Sequence, residues 1–301
     1  MERSYILHMF TPGKQMSPFD INMAVDAGYQ VVVPYCGVTL DEITGLTQDA
    51  IFSRGPKGVK ATGIFIGGRD VMLAADMLDA ARKAMVPPFE VSVIADPSGS
   101  YTTAAALVAC VEQWLRSAHG TDFAGKEVLI LGGTGTVGRI AGVLAAGLGA
   151  RVTLASHRDQ ANAEKAAAET AARFGCELRG AGTGSAEARR AALAAADVVL
   201  ATAAAGVQVA SAEEVAGAAR LLVAADVNAV PPEGIAGVGV MDKGKPIAGT
   251  QAVGIGALAV GNVKYQVENG LLVAMRQADK PLYLGFREAF AKARELLADK
   301  S

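Results

Sequence analysis

Apolar positions fall in two rhythms along this chain. Short apolar runs at Ile6–Phe10, Val31–Tyr35, Ala61–Ile66 and Val91–Ala95 read as strands. Between them, apolar residues recur at helical spacing. Asp20–Ala27 follows Ser17-Pro18-Phe19, and Val71–Ala84 carries Met72, Ala75, Leu78 and Arg82 before Pro87-Pro88 stops it. Strands that alternate with helices predict a parallel sheet. The alternation resumes after a helix at Thr103–Arg116. Val128–Leu131 is a strand, Val137, Ile140, Ala141, Leu144 and Leu148 mark a helix, and Arg151–Ala155 is a second strand. Then come a helix at Gln160–Phe174, a short strand at Glu177–Gly180, a helix at Ala186–Ala195 and a strand at Asp197–Thr202. A helix follows Ser211-Ala212-Glu213-Glu214, which has the capping-box form, and Leu221–Ala225 is a fifth strand. Leu282–Leu297 closes the chain as an amphipathic helix with Phe286, Phe290, Ala293 and Leu297 on one face, expected to pack back on the first domain.

One junction in this pattern carries chemistry. Strand Val128–Leu131 runs straight into Gly132-Gly133-Thr134-Gly135-Thr136-Val137-Gly138, which contains G-x-G-x-x-G at Gly133, Gly135 and Gly138. Strand, glycine turn, helix and second strand together make half of a dinucleotide-binding fold. The glycines allow a tight turn, close approach of backbone to a pyrophosphate and packing of helix on strand. The helix N-terminus favours the anion, and Thr134, Thr136 and Val137 are the residues between the glycines that would line it. At the end of the second strand, where NAD-preferring proteins place an acid, the chain reads Ser156-His157-Arg158, with Asp159 coming late. A hydroxyl, an imidazole and a guanidinium suit a 2′-phosphate, so the expected cofactor is NADP, with NAD possible. Alternatively, Arg158 is a solvated first-turn residue of the next helix. Ligands in such sheets bind at the carboxyl ends of the strands. Thr202, Ala203, Asp226 and Asn228 are therefore candidates for the nicotinamide side.

Composition narrows the class. The chain has 301 residues, is half apolar and is rich in Ala and Gly, as expected of close helix–sheet packing. A net charge of −2 gives no sign of a nucleic-acid or membrane partner. No apolar run approaches the ~20 residues that span a bilayer, and the N-terminus has no signal-peptide shape, so a cytoplasmic location is expected. Cys36, Cys110 and Cys176 are read as buried, reduced thiols, and with His8, His119 and His157 equally scattered, no metal site is expected.

Three further stretches have unusual composition. Asp96-Pro97-Ser98-Gly99-Ser100-Tyr101-Thr102-Thr103 is dense in turn formers and hydroxyls, and is either a cleft wall or a helix cap. Gly254 to Tyr265 runs glycines into a helix with Lys264 on an otherwise apolar segment. That lysine either snorkels to solvent or reaches into a cleft. Arg54 and Lys60 lie in a Gly/Pro-containing loop, Ser53–Lys60, which is either solvated or meets an acidic part of a substrate.

Several long, irregular blocks resemble the methylene-tetrahydromethanopterin dehydrogenases of methylotrophic bacteria. They are His8–Pro12, Met16–Asn22, Gly63–Gly68, Asp96–Ser100, Asp226–Gly237 and Val253–Tyr265, collinear over nearly the whole chain. The resemblance implies two α/β domains with the active-site cleft between them: an N-terminal parallel-sheet substrate domain, residues 1–104 plus about 270–301, and a Rossmann-type NAD(P)-binding domain, residues 105–269. It implies hydride transfer from the methylene carbon of a reduced pterin to NADP, with NAD as a second acceptor, in one-carbon oxidation. It places the family's cleft threonine on Thr102 and its cleft lysine on Lys264, both as catalytic candidates. Asp20 is a further substrate candidate, because a carboxylate can pair with the amino-pyrimidine edge of a pterin, or else it is a first-turn helix acid. Ser100, Tyr101 and Asn262 lie beside these residues and complete the expected substrate set. Thr136 stands where one close branch carries proline. A homo-oligomer is expected.

The chemistry asks for little proton transfer. The donor carbon lies between two nitrogens, which stabilise the resulting amidinium-like cation, so orientation in a water-poor site is the main requirement. An ammonium beside a forming cation would oppose the step. Lys264 is therefore expected either to be neutral in the complex or to aim at a polar group of the pterin away from the reacting carbon. A methylene-tetrahydrofolate dehydrogenase, a shikimate-dehydrogenase-like enzyme on the same plan and a non-catalytic NADP-binding regulator are the alternatives.

Overall fold

The computed structural model describes residues 3–298. In chain order, β1 (Ile6–Thr11), α1 (Pro18–Asp26), β2 (Val31–Cys36), α2 (Ile43–Phe52) and α3 (Gly55–Gly58) come first. A 3₁₀ turn at Val59–Ala61 leads to β3 (Thr62–Ile66), α4 (Val71–Lys83) and β4 (Ser92–Ala95). After a second 3₁₀ turn, Pro97–Gly99, come α5 (Ser100–His119), β5 (Glu127–Leu131), α6 (Thr136–Gly147), β6 (Arg151–Ser156) and α7 (Gln160–Phe174). They are followed by β7 (Arg179–Gly182), α8 (Ala186–Ala195), β8 (Val198–Ala201), α9 (Ala212–Ala216) and β9 (Val223–Asp226). β10 (Lys243–Pro246), β11 (Val253–Ile255), α10 (Ala257–Gln277), β12 (Tyr283–Leu284) and α11 (Phe286–Ala298) complete the chain.

The chain divides into two compact units. Among the described residues, one comprises those up to Thr102 with Tyr265–Lys292, the other Thr103–Lys264 with Ala293–Ala298. The first unit is built on a five-stranded parallel sheet of order β12-β4-β3-β1-β2. β3 and β4 are buried along their whole length, as strands covered on both faces must be. Ser17 caps α1 with Pro18 in its first turn, and Asp70 caps α4 by accepting from the N–H groups of Met72 (2.8 Å) and Leu73 (3.1 Å).

The second unit holds a seven-stranded sheet of order β10-β11-β9-β8-β5-β6-β7. All its pairings are parallel except β10 with β11. Numbered among themselves and read from β7, the six parallel strands follow the 3-2-1-4-5-6 order of the doubly wound nucleotide-binding fold, with the antiparallel β10 added at the edge beyond β11. Leu129, Leu131, Val199, Ala201 and Ala224 form a core with Leu193, Val215, Ile235 and Ile247. The α/β class therefore stands, with a parallel sheet first and a Rossmann-type sheet second.

Several local expectations are corrected. Ile43–Phe52 is helical and was not anticipated. It lacks a side-chain cap and contains Thr44, Gly45 and Thr47, which obscure the periodicity. The supposed loop Ser53–Lys60 holds α3 and the start of a 3₁₀ turn, and Ala61 belongs to that turn rather than to β3. The helix expected from Thr103 to Arg116 is longer at both ends. The strand expected at Glu177–Gly180 lies at Arg179–Gly182 instead. β10, Lys-Gly-Lys-Pro, was missed because its charged sequence is that of an edge strand. Gly254 belongs to β11, not to a helix approach. Leu282–Leu284 does not open the last helix: Tyr283 and Leu284 pair with Val93 and Ile94. Of that helix, Phe286–Lys292 groups with the first unit and Ala293–Ala298 with the second. Cys36 is exposed, not buried.

Candidate functional site

In the second sheet the strand order reverses between β5 and β8, which is where a doubly wound sheet opens a ligand crevice. Both strand ends carry small residues for a geometric reason. Gly132, directly after β5, has φ +76°, and a Cβ there would lie 2.7 Å from the Cα of Ala203. The backbone of Thr202-Ala203 therefore rests on the turn itself. Thr202 is tied down too: its N–H and its hydroxyl both donate to the Leu131 carbonyl, at 2.8 and 3.2 Å. Gly133 lies against β6, where a Cβ would meet Leu154 Cα at 2.8 Å, and its N–H donates to Ala155 O at 3.0 Å. A Cβ on Gly138 would lie 2.7 Å from Gly133 Cα and 2.7 Å from the Thr202 hydroxyl. Gly132, Gly133 and Gly138 thus hold turn, strand and helix in van der Waals contact.

Gly135 differs from these. It is exposed, it is the N-cap of α6 without a side-chain cap, and a Cβ would meet the Gly132 carbonyl oxygen at 3.3 Å and the Thr202 carbonyl oxygen at 3.9 Å. Its N–H donates to Gly132 O at 3.0 Å. The N–H groups of Thr134, Thr136, Val137 and Gly138 meet no acceptor among the described residues. Four donors at a helix start beside an open glycine are what a diphosphate requires. The residues present therefore fit a dinucleotide, and the observation is independent of the glycine pattern.

At the end of β6, Ser156 is buried while His157 and Arg158 are exposed. The Ser156 hydroxyl accepts from the Arg158 N–H at 3.2 Å, and its carbonyl accepts from Thr183 N at 2.8 Å. Asp159 caps α7, accepting from Asn162 N at 2.7 Å, so its carboxylate is used locally. The strand end thus offers an exposed guanidinium and imidazole.

Asp226 and Asn228 brace a loop. Asp226 is buried and accepts from the N–H groups of Asn228 (2.9 Å), Gly234 (2.6 Å) and Ile235 (3.2 Å). Burial raises its carboxyl above the usual carboxylate range, against the pull of those donors. Asn228 accepts from Gly206 N and Val230 N, both at 3.0 Å, and donates to Pro232 O at 2.9 Å. Their side chains join the segment after β8 to the segment after β9.

In the first unit the residues at the ends of β1, β3 and β4 converge. Gly67 N donates to Phe10 O at 2.9 Å, Asp96 N donates to Ile66 O at 3.0 Å and the Ser98 hydroxyl donates to Gly68 O at 2.8 Å. Ser98 has φ +52°, a left-handed conformation that a serine adopts at a cost. Asp96 is fully buried and organises the start of α5. It accepts from Tyr101 N at 2.9 Å, Thr102 N at 3.2 Å and the Thr102 hydroxyl at 2.5 Å. Thr102 is 1% exposed, so its hydroxyl faces Asp96 rather than solvent. Ser100 is buried beside it. Tyr101 is a core residue: its hydroxyl donates to Val71 O at 2.6 Å and its ring meets Phe286 edge-on at 5.3 Å. Asp20 is buried in the first turn of α1, where its N–H donates to Ser17 Oγ at 3.4 Å. On α10, Asn262 is exposed and Lys264 half-buried. Arg54 donates to Ala61 O at 2.9 Å, and Lys60 is an exposed neighbour of Asp279.

The structure therefore brings the fingerprint glycines together with Thr202, Ala203 and the β6 residues Leu154 and Ala155, which directly precede Ser156, and brings Ser100, Tyr101 and Thr102 together around Asp96. Sequence reasoning missed Gly132, Asp96 and Arg139. The Gly-Gly doublet signalled the first, an acid directly after a strand the second. Arg139 carried no signal, since its partner Thr134 is a backbone carbonyl, which accepts from its Nε at 3.1 Å. Among the described residues no helix is long and apolar enough to cross a membrane, and no cluster of three His, Cys, Asp or Glu could hold a metal.

Residues 18–98 match the family described as methylene-tetrahydromethanopterin dehydrogenase, N-terminal. Over 296 residues, 98% of this chain and 99% of the relative, the sequence is 49% identical to an NAD(P)-dependent methylenetetrahydromethanopterin dehydrogenase of Methylorubrum extorquens. It is 32% identical, over 97% of this chain and 98% of the relative, to the bifunctional protein MdtA of the same organism. Among solved structures, the ligand-free 5-ketofructose reductase of Gluconobacter aligns over 98% of this chain and 99% of its own, with a TM-score of 0.53 and 17% identity, a likeness of fold.

Proposed function

The chain belongs to the methylene-tetrahydromethanopterin dehydrogenase family, and we propose that it transfers a hydride from methylene-tetrahydromethanopterin to NADP, with NAD also accepted. The observation that carries this reading is the 49% identity over 98% of the chain to a relative named for that activity. The donor-lined start of α6 supports it independently.

Bound there, a nicotinamide supplies the carbon that takes the hydride. The chain's own residues bind and orient. The N–H groups of Thr134, Thr136, Val137 and Gly138 hold the diphosphate, with Gly135 leaving room for it. Ser156, His157 and Arg158 take the 2′-phosphate, and the absence of a free acid at that strand end favours NADP. Thr202 and Ala203 wall the nicotinamide side, while Asp226 and Asn228 keep the adjoining loop in shape.

On the pterin side, Asp20, Ser100, Tyr101, Asn262, Thr102 and Lys264 are the proposed set, and their geometry divides the roles. Thr102 and Tyr101 act as positioning residues, since both hydroxyls are engaged within the protein. Lys264 is the proposed contact to the pterin, aimed at a polar ring group rather than at the reacting carbon. No acid–base pair is needed, because the two nitrogens flanking that carbon stabilise the cation it becomes. The protein works in the cytoplasm as a homo-oligomer, in one-carbon oxidation. The purified protein is expected to reduce NADP when supplied with methylene-tetrahydromethanopterin. Nucleotide binding without reduction would contradict the reading.

A further inference from the structure

We propose that Arg139 is a positioning residue for the cofactor: it holds the Thr134–Gly135 peptide turned away from the diphosphate site and so keeps the glycine loop in its anion-binding form. This rests on the dinucleotide reading above and adds a residue to it. The two polar groups of one planar peptide point in opposite directions. Here both are tied: Gly135 N–H donates to Gly132 O at 3.0 Å, and the Thr134 carbonyl accepts from Arg139 Nε at 3.1 Å. With that carbonyl drawn aside, the Thr134, Thr136, Val137 and Gly138 positions offer N–H donors.

The constraint is needed because of Gly135. A glycine permits peptide orientations that a side chain would forbid, and Gly135 is exposed, with only the Gly132 and Thr202 carbonyl oxygens near where a Cβ would lie. A flipped Thr134–Gly135 peptide would turn a carbonyl dipole toward the phosphate and repel it. Arg139 is itself fixed by α7. One of its terminal nitrogens lies 3.2 Å from Glu169 Oε2 and 3.5 Å from the Thr170 hydroxyl, and its side chain is 20% exposed. Glu169 neutralises the guanidinium locally. Arg139 therefore acts through the direction of its Nε–H rather than by drawing anions with net charge.

The test is a fluorescence titration of the full-length protein with NADPH in the absence of pterin, paired with thermal unfolding and steady-state kinetics. Arg139→Met and Arg139→Leu, which remove the Nε donor, are expected to weaken NADPH binding about tenfold. The KM for the pterin stays unchanged. Glu169→Gln keeps an acceptor for Arg139 but removes the charge, and is expected to leave NADPH affinity unchanged. Wild-type affinity in either folded Arg139 variant would overturn the proposal, whatever its melting temperature, since a mere tie between α6 and α7 changes stability alone. An affinity change in Glu169→Gln equal to that in Arg139→Met would make the effect one of charge and would also overturn it, as would an equal rise in pterin KM. A wild-type protein that binds neither NADPH nor NADH would instead remove the dinucleotide reading, and this inference with it.

Discussion

At the scale of single residues, the account depends on where each polar group spends its hydrogen bonds. Arg158 is exposed at a strand end, and among the described residues no carboxylate pairs with it, so its guanidinium is available for a 2′-phosphate. Arg158→Gln is expected to raise the KM for NADP by about tenfold, the scale of a lost charge-assisted hydrogen bond, and to leave the KM for NAD unmoved. Steady-state kinetics with both nucleotides checks this. Lys264→Gln is expected to lower kcat/KM for the pterin by about a hundredfold, the scale of a misplaced reactant, and to leave NADPH binding intact. Unchanged turnover would remove Lys264 from the site. His8 supplies a pH signature. Burial, and secondarily the Arg54 charge, hold its imidazole below the usual histidine range, and its Nδ1 lies 3.1 Å from the Tyr35 hydroxyl. A group with a lowered folded-state pKa is protonated more readily in the unfolded chain. Stability is therefore lost as the pH falls from the ordinary value of 6.5 toward the folded value. His8→Gln removes that loss, and melting curves of both proteins between neutral pH and about 5 should diverge in slope. Part of this scale was legible in sequence: the glycines and Ser156-His157-Arg158 stand out by type and spacing, whereas Lys264 became a catalytic candidate only through the family resemblance. Arg139 did not stand out, because its role lies in what its side chain reaches in three dimensions.

At the scale of elements, boundaries were legible where the chain caps itself. α7 runs Gln160–Phe174 because Asp159 caps its start and Gly175, at φ +69°, ends it, and Ser185 does the same for the start of α8. α4 shows the energetic side. Asp70 satisfies two otherwise orphaned N–H groups, so Asp70→Ala is expected to cost about 1 kcal/mol of stability, measured by denaturant unfolding, without changing cofactor affinity. Elements defined by their neighbours were not legible. β12 is two residues long and is a strand only because Tyr283 and Leu284 find Val93 and Ile94. β7 was displaced in the reading because its glycines serve contact rather than strand propensity: a Cβ on Gly180 would lie 2.3 Å from Glu164 N. α2 lacks the cap that would have announced it.

At the scale of the molecule, the parallel first sheet and the nucleotide-type second sheet were both implied by alternating periodicity, since neither pattern survives a change of strand pairing. The sheet of order 3-2-1-4-5-6 explains nucleotide binding but leaves the substrate unspecified, because one fold serves many reactions. The pterin enters through the long match to a methanopterin dehydrogenase. The central claim is thus a pairing of one pterin with one nicotinamide. The most direct test is a spectrophotometric comparison of kcat/KM for methylene-tetrahydromethanopterin and methylene-tetrahydrofolate, each with NADP and with NAD. The account predicts the highest value for the methanopterin substrate with NADP. A higher value with the folate substrate, or no reduction of either nucleotide by the methanopterin substrate, would contradict it.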